Sequence, residues 1–553
     1  VKGFMDSSPN RERKSSPPPP AQPTERDIPS LLKRLANYGP LPALSFYRGK
    51  GLEGRLSYRE LSSKVIGLAG ALHRDLGVCR GERVAILAPN RLEIPVLVLA
   101  VLRLGAVVVP LNPGSAVEDW TYILAHSGAR GLCVTRELLA RVPMASRPSF
   151  TLLVEDAFAL GADGPEPPAP SELELENGAV LYTSGTTGHP KGVALRQGNL
   201  LWNAWSMAKN FDLDRTTQLA VLPLYHAHAF GFGLTTALST GGHLVFTERL
   251  EPFTWAEVIR AESVAVTSVV PTLLPMLLAA GVMQEKVPSL RHVLVSSAPL
   301  PVELAREFEM RARIPLVHGW GLSEYTNFAC CVSPALPADE RRHLMFSWEV
   351  PSIGPALLGS EVRVTDAQGS PAREGVRGEL VIRGRSTMSG YFRDPEHTAR
   401  AIDVDGWLHT GDEGFFQVHD GRPIFFVTGR LKDIIIRDAE KYSPLRLEQR
   451  LVESLPELSG RVVVVGFPHK EHGEEVGAYV EVDAIDDDCR ARLTEAIQGM
   501  PVAERPKVVL FGREPIPRTH TGKVQRRKIQ PWFRRWSAHR GVLVIEALDK
   551  RDG

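Results

Sequence analysis

A chain of 553 residues, 43% hydrophobic and 23% charged, has the composition of a globular protein large enough to divide into more than one domain. Lys and Arg number 65 against 64 for Asp and Glu, a balance that argues against nucleic acid or an anionic membrane surface as the main partner. The five cysteines (Cys79, Cys133, Cys330, Cys331, Cys489) are odd in number and lack metal-ligand spacing, so they read as reduced thiols in a reducing compartment.

Residues 1–26 are polar and proline-rich, with four consecutive prolines at Pro17–Pro20. Such a composition cannot bury enough apolar surface to order itself, so a disordered tail is predicted, with a docking role as the alternative. Met5 is a candidate natural start, no secretory pattern stands at the beginning, and the expected address is the cytoplasm. The globular part begins near Asp27. Ser57 with Glu60 three residues later fits a capping box and predicts a helix with apolar positions at helical spacing through Leu72. Arg83–Leu87 then reads as a buried strand, Glu93–Arg103 as a helix, and Ala106–Pro110 as a strand. The apolar stretch near 94–111 contains Arg103 and Gly105, too short and interrupted for a membrane span. Strand, helix and strand in succession predict parallel βαβ units and an α/β fold.

Ala179-Val180-Leu181 reads as the end of another strand, followed by Tyr182–Gly192, YTSGTTGHPKG. The segment holds Gly185, Gly188 and Gly192, the hydroxyls of Thr183, Ser184, Thr186 and Thr187, and Lys191. Glycines admit a close ligand, hydroxyls and N–H groups donate to phosphate oxygens, and a lysine offsets their charge. A Gly-rich turn can be only a turn, but alternating hydroxyls and glycines ending in Pro190-Lys191-Gly192 point to polyphosphate binding. A Walker A loop is excluded, because Lys191 follows Pro190 and precedes Gly192.

This segment resembles the phosphate-binding loop of the adenylate-forming superfamily, which includes acyl-CoA synthetases, aryl-CoA ligases, luciferases and peptide-synthetase adenylation domains. The resemblance extends from about Ser57 to Lys528, takes in the phrase GAVVVPLNP at 105–113, and keeps the motif groups in order. It implies a large N-terminal ATP- and acyl-binding domain (27–430) with βαβ layers. A small mobile α+β lid domain (431–537) would carry a catalytic lysine, with a tail over 538–553.

Downstream, Leu219–Leu222 reads as a strand delivering Pro223-Leu224-Tyr225-His226 and the Gly/aromatic run from Ala227 to Gly233. The resemblance makes Tyr225, His226, Phe230 and Gly231 acyl-pocket residues, with His226 gating access between the acyl site and the thiol tunnel; His228 has no such match and is at most pocket lining. Tyr225–Leu238 contains no acidic residue to pair with a substrate ammonium, so the expected substrate is a carboxylic acid without an α-amino group. Phe230, Phe232 and Leu234 suggest an apolar tail or ring, although such residues are also ordinary core.

Val264–Val270 and His292–Val295 read as strands, the second leading into Ser296-Ser297-Ala298-Pro299. The resemblance lays Ser297, Ala298 and Pro299 along adenine. In Gly319-Trp320-Gly321-Leu322-Ser323-Glu324 it assigns Gly319 to the pocket, Trp320 and Gly321 to the nucleotide, Ser323 to the α-phosphate and Glu324 to Mg²⁺. The family usually has Tyr and Thr where Trp320 and Ser323 stand. The stretch from Glu324 to Gly354, with Arg341, Arg342 and Trp348, is about ten residues longer than the family pattern suggests, which reads as a loop insertion.

Farther on, the resemblance gives Asp412 the ribose hydroxyls, Arg430 ribose and phosphate, Lys432 the interdomain hinge, and Lys523, in Pro517-Arg518-Thr519-His520-Thr521-Gly522-Lys523, the catalytic role. Arg461–Val465 and Gly477–Val482 are predicted strands, Leu445–Leu455 a predicted helix, and the basic, aromatic Trp532–Arg540 a packing helix or solvated face. One departure stands out: Asp438-Ala439 occupies the usual Gly-Gly before Glu440, which leaves the thiol acceptor open between CoA and a carrier-protein phosphopantetheine. The implied activity is an ATP-dependent acid–thiol ligase forming acyl-AMP and then a thioester. A luciferase-like oxidation and a degenerate nucleotide- or acyl-binding protein are the rivals, and the oligomeric state is open between monomer and homodimer.

Overall fold

The computed structural model of the chain describes residues 22–161, 167, 176–183, 189–438, 440–482 (Lys441 by its backbone only), 486–519, 522–539 and 543–548. The tail expected over 1–26 therefore lies, for residues 1–21, outside the described residues, while Glu25 pairs with Arg34 at 2.5 Å. The first predicted helix forms as Tyr58–Arg74 because its start is chemically specified. Ser57 Oγ accepts the Glu60 N–H at 3.3 Å, and the Glu60 carboxylate accepts the Ser57 N–H at 2.7 Å. Leu61, Val65, Leu68 and Leu72 fall on its buried face. Arg83–Leu87 and Glu93–Arg103 form as predicted, and the following strand is Val107–Leu111.

Among the described residues these elements join four sheets. In the seven-stranded sheet, Arg83–Leu87 lies parallel between Val107–Leu111 and Gly131–Val134, the predicted βαβ arrangement. Asn177–Thr183 joins Val107–Leu111 in parallel, and Lys191–Arg196 turns back antiparallel to it. The Gly-rich segment thus connects two strands of a hairpin, with Thr183 opposite Lys191, and does not open a helix as a Walker A loop would.

The eight-stranded sheet places Thr217–Ala220, Val266–Val269, His292–Val295 and Leu316–Gly321 side by side in parallel. The first of these ends earlier than the predicted 219–222, because the chain turns at Pro223, whose carbonyl accepts the His226 N–H at 3.1 Å. The segments 223–226, 296–299 and 322–324 all follow the C-terminal ends of these strands, the edge where open α/β sheets collect ligands.

The four-stranded antiparallel sheet ends in a long hairpin, Leu408–His419 with Arg422–Arg430. Asp420 and Gly421, at φ +48° and +72°, make its two-residue turn, a geometry that suits Asp-Gly. That register sets Asp412 opposite Arg430.

The C-terminal sheet has its own core, with Leu447, Leu451, Val464, Val476, Leu493 and Ile497. Its predicted strands run longer, as Val462–His469 and Gly473–Glu481, and its helix is Pro444–Ser454. The tail expected over 538–553 needs correction: Val544–Ala547 pairs in parallel with Val508–Gly512 and is a strand of this sheet. Around Gln530–Trp536, Phe533 stacks on Phe467 with centroids 5.3 Å apart, so the basic, aromatic stretch packs.

The stretch from Glu324 to Gly354, read as a loop insertion, is not an unstructured loop: it holds the strand Phe328–Cys331 and the helix Ala338–Phe346. Arg341 and Arg342 both pair with Glu309, at 3.3 and 3.5 Å, and Trp348 lies 5.1 Å from Phe426. All five cysteines are free, and among the described residues no helix is long and apolar enough to cross a membrane.

Candidate active site

Ser184, Gly185, Thr186, Thr187 and Gly188, expected to bind phosphate, lie outside the described residues, but both ends of their segment are placed. Thr183 closes the first strand, and Lys191 opens the second with its ammonium 5.1 Å from the centre of the Tyr391 ring. The Tyr391 hydroxyl donates to Glu324 Oε1 at 3.0 Å. Burial, and then the charge of Glu324, push the Tyr391 phenol far up, so it stays a donor. One side chain thus links the loop lysine to the carboxylate expected to hold a cation.

Glu324 and Ser323 sit, half-buried, on the single turn Ser323–Tyr325 after Leu316–Gly321. Gly321 has a steric reason: a Cβ there would lie 1.7 Å from the Asn327 carbonyl oxygen. Trp320 is turned toward Asp412, the carboxylate expected at the ribose, its indole N–H donating to Oδ2 at 2.9 Å. Arg430 Nε takes the other oxygen at 2.6 Å, and Asp412 is only 5% exposed. Trp320 itself is 9% exposed, so little of its ring is open to stack on a base, and its clearest contact is the brace it gives Asp412. Each carboxylate oxygen keeps acceptor capacity toward a diol.

Lys523 comes from the other domain. It lies on the tight Arg518–Val524 turn, where Thr519 N–H donates to the Lys523 carbonyl at 2.7 Å, with His520 and Thr521 outside the described residues. Gly522, at φ +81°, is packed so that a Cβ would touch Thr272 of the large domain at 3.2 Å. Burial, then Arg430, push the half-buried Lys523 ammonium below the usual lysine range, while the charges of Asp412 and Glu324 oppose this. Lysine, arginine and both carboxylates therefore share one neighbourhood, assembled across the two domains. Lys432, exposed on the turn Leu431–Asp433, occupies the connection between them. The donor set fits a hard cation such as Mg²⁺: Glu324 offers carboxylate oxygens beside a phosphate-type loop, and Mg²⁺ takes one or two carboxylates plus substrate phosphates.

Tyr225 and His226, expected to line the acyl pocket, are half-buried after Thr217–Ala220, with ring centroids 4.5 Å apart. Phe230 and Gly231 belong to a fully buried π-helical stretch, Ala229–Thr235. Phe230 is 1% exposed and sits in the main hydrophobic core, so it backs the site and does not line it. Gly231 admits the Asn327 side chain, which a Cβ would meet at 2.7 Å, and Gly319 admits the Phe328 ring at the same distance. Ser297, at φ +73°, precedes the half-buried Ala298 and the exposed Pro299.

The structure gives His228 more than the lining role expected of it. Its Nδ1 lies 2.9 Å from Ser296 Oγ and 3.0 Å from Ser297 Oγ. The ring meets Phe232 and Phe328 edge-on, and its buried Nε2 has no hydrogen-bond partner among the described residues. Burial, with His226 adding to it, pushes the imidazole down to about 3, so it is neutral. Sequence reasoning also missed Tyr391, 67 positions from Glu324, and the bond between Trp320 and Asp412. For Tyr391, the Gly-Tyr pair before a Pro-opened helix was the available signal.

Asp438, where the family pattern has glycine, adopts φ +51°. His472 Nδ1 holds its carboxylate at 2.8 Å, and the Asp438 N–H donates to the His472 carbonyl at 3.1 Å, while Ala439 lies outside the described residues.

Known proteins resemble this chain over nearly its whole length. The model of the family described as "AMP-binding enzyme" matches residues 32–392. A feruloyl-CoA synthase of an Amycolatopsis species is 34% identical over 486 residues, 86% of this chain and 94% of that protein. A sulfoacetate–CoA ligase of Cupriavidus necator is 32% identical, over 84% and 90%. Among solved structures, ATP-bound MatB of Rhodopseudomonas palustris superposes with a TM-score of 0.80 at 25% identity, covering 92% of this chain and 99% of that one. With its family motifs in order on the same fold, the chain belongs to the AMP-binding enzyme family and is an AMP-forming acid–CoA ligase.

Proposed function

We propose that this ligase binds ATP and a carboxylic acid without an α-amino group, forms acyl-AMP with release of pyrophosphate, and passes the acyl group to the thiol of CoA. The observation that carries the first step is that the turn bearing Lys523 packs against Thr272 of the large domain, near enough to the Asp412–Arg430 pair and Glu324 for their charges to act on its ammonium. In this reading Asp412, braced by Trp320 and Arg430, holds the ribose diol. The segment from Thr183 to Lys191 cradles the β- and γ-phosphates, and Ser297, Ala298 and Pro299 border adenine. Glu324 would hold Mg²⁺, which when bound supplies charge neutralisation on the phosphate oxygens. The acid's carboxylate oxygen bonds to the α-phosphorus as the bond to pyrophosphate breaks. Lys523 and Ser323 donate to the oxygens on which charge builds, and a preorganised ammonium is effective there because it needs no reorientation. The small domain then turns about Lys432, Lys523 leaves, and the thiol sulfur displaces AMP from the acyl carbon.

The acid class follows from His228. When Nδ1 accepts a serine hydroxyl, the proton sits on Nε2, a buried donor without a partner, which is costly to leave unmet. An oxygen acceptor on the acid would satisfy it, and the flanking Phe232 and Phe328 suit a ring. This favours an oxygen-substituted aryl acid over a plain fatty acid. The five free thiols agree with a reducing, cytoplasmic setting. A second reading keeps the adenylation but delivers to a carrier-protein phosphopantetheine. The Asp438 carboxylate favours it, since it would stand near the phosphates of CoA. Pyrophosphate release over paired acids with and without a ring oxygen, with CoA present or absent, tests both. Equal rates within pairs would refute the His228 role, and acyl-AMP accumulating despite CoA would transfer the acceptor assignment to a carrier protein.

A further inference from the structure

Glu340, His419 and Asp420 form the one group of three or more His, Cys, Asp or Glu residues, among the described residues, whose ligand atoms all lie within 4.8 Å of one another. They come from separate elements: Glu340 from the first turn of the inserted helix Ala338–Phe346, His419 from the end of its strand, and Asp420 from the following two-residue turn. His419 Nε2 is shielded from solvent and stands 3.4 Å from a Glu340 carboxylate oxygen, yet it is misaligned for a hydrogen bond. Two ligands at ~2.1 Å from a tetrahedral cation stand about 3.4 Å apart, so the spacing suits a shared ion better than it suits N–H···O. Asp420 is exposed and free to swing its carboxylate onto such an ion. On the next turn of the helix His343 stacks on His419, ring centroids 5.6 Å apart, and holds the imidazole plane.

We propose that these three side chains bind a divalent transition-metal cation of the zinc type, with water at the remaining position. One imidazole with two carboxylates is a borderline-soft donor set that zinc accepts and magnesium does not favour. The site is separate from the nucleotide centre, because Asp412 lies seven residues earlier on the strand that ends at His419, about 24 Å away at the rise of a strand. The cation ties the inserted helix to the hairpin tip. Arg341 and Arg342 fix the same helix to Glu309 by other contacts.

The test uses the full chain without a polyhistidine tag, stripped by a chelator and titrated calorimetrically with zinc chloride in magnesium-containing buffer. The expected result is one zinc per chain, at least tenfold weaker binding in both His419→Ala and Glu340→Gln, and a zinc-dependent rise in Tm that His419→Ala loses. Asp420→Asn keeps the turn and guards against misfolding; it should also weaken zinc binding, while magnesium-supported pyrophosphate release stays at the parent level in all three. Absence of saturable zinc binding, equal affinity in the variants, or equally tight binding of magnesium would each overturn the proposal.

Discussion

Replacing Trp320 by Phe removes one N–H from the nucleotide site and keeps an aromatic ring in its place, at the cost of a small cavity. The lost bond runs 2.9 Å to Asp412 Oδ2, on a carboxylate that is 5% exposed, so water has little access to replace it. Hydrogen bonds to charged groups contribute about 1.5–3 kcal/mol net. Arg430 still holds the other oxygen at 2.6 Å, which keeps the carboxylate in place to first order. A loss of about 2 kcal/mol corresponds to roughly a 30-fold change, at 1.4 kcal/mol per factor of ten. If Asp412 grips the ribose equally before and during adenylation, the loss falls on KM for ATP with kcat little changed. Steady-state pyrophosphate release against ATP concentration reads this directly, with Tm as the control for folding. A KM for ATP within twofold of the parent, at unchanged Tm, would refute the idea that Trp320 braces the ribose carboxylate.

Tyr391→Phe keeps the ring under the Lys191 ammonium and deletes the donor to Glu324; the magnesium concentration for half-maximal pyrophosphate release should rise about tenfold, in line with the loss of one charge-assisted bond. Glu309→Ala strips a buried acceptor from Arg341, Arg342 and the Leu316 N–H, and urea denaturation should report a loss of about 3–5 kcal/mol, as for other broken buried pairs. Lys523 must be an ammonium to stabilise the adenylation step, and burial with Arg430 lowers its pKa, so the charged form is lost as pH rises through that lowered value. The alkaline limb of the adenylation pH profile should thus fall below the ~10.4 of an ordinary lysine, and the residual activity of Lys523→Arg should lack it.

Local chemistry made much of the fold legible in advance. The Ser57–Glu60 box specifies a helix start, and the unbroken apolar run 84–87 specifies a strand buried on both faces. What stayed hidden depends on partners distant in sequence. Val544–Ala547 is four residues long and becomes a strand only because Val508–Gly512 offers an open edge. The strand before Pro223 stops early because of the turn that follows it. Asp420-Gly421 between alternating apolar residues was a usable hairpin signal, and it explains how Asp412 and Arg430 come to face each other. In the site, Glu324, Asp412, Arg430 and Lys523 stood out by motif. Tyr391, the turn of Trp320 toward Asp412, and the pairing of His228 with two serines arise only when separate strand ends meet.

The central claim is that Lys523 acts in adenylation and leaves before thiol transfer, and one experiment on Lys523→Ala separates the two. Pyrophosphate release from acid and ATP is measured beside acyl-CoA formation from pre-made acyl-AMP. The account predicts that the first rate falls at least a hundredfold, as expected for removal of a preorganised charge at the reacting phosphate, while the second stays within a few-fold of the parent. Adenylation at the parent rate, or equal loss of both steps, would contradict it.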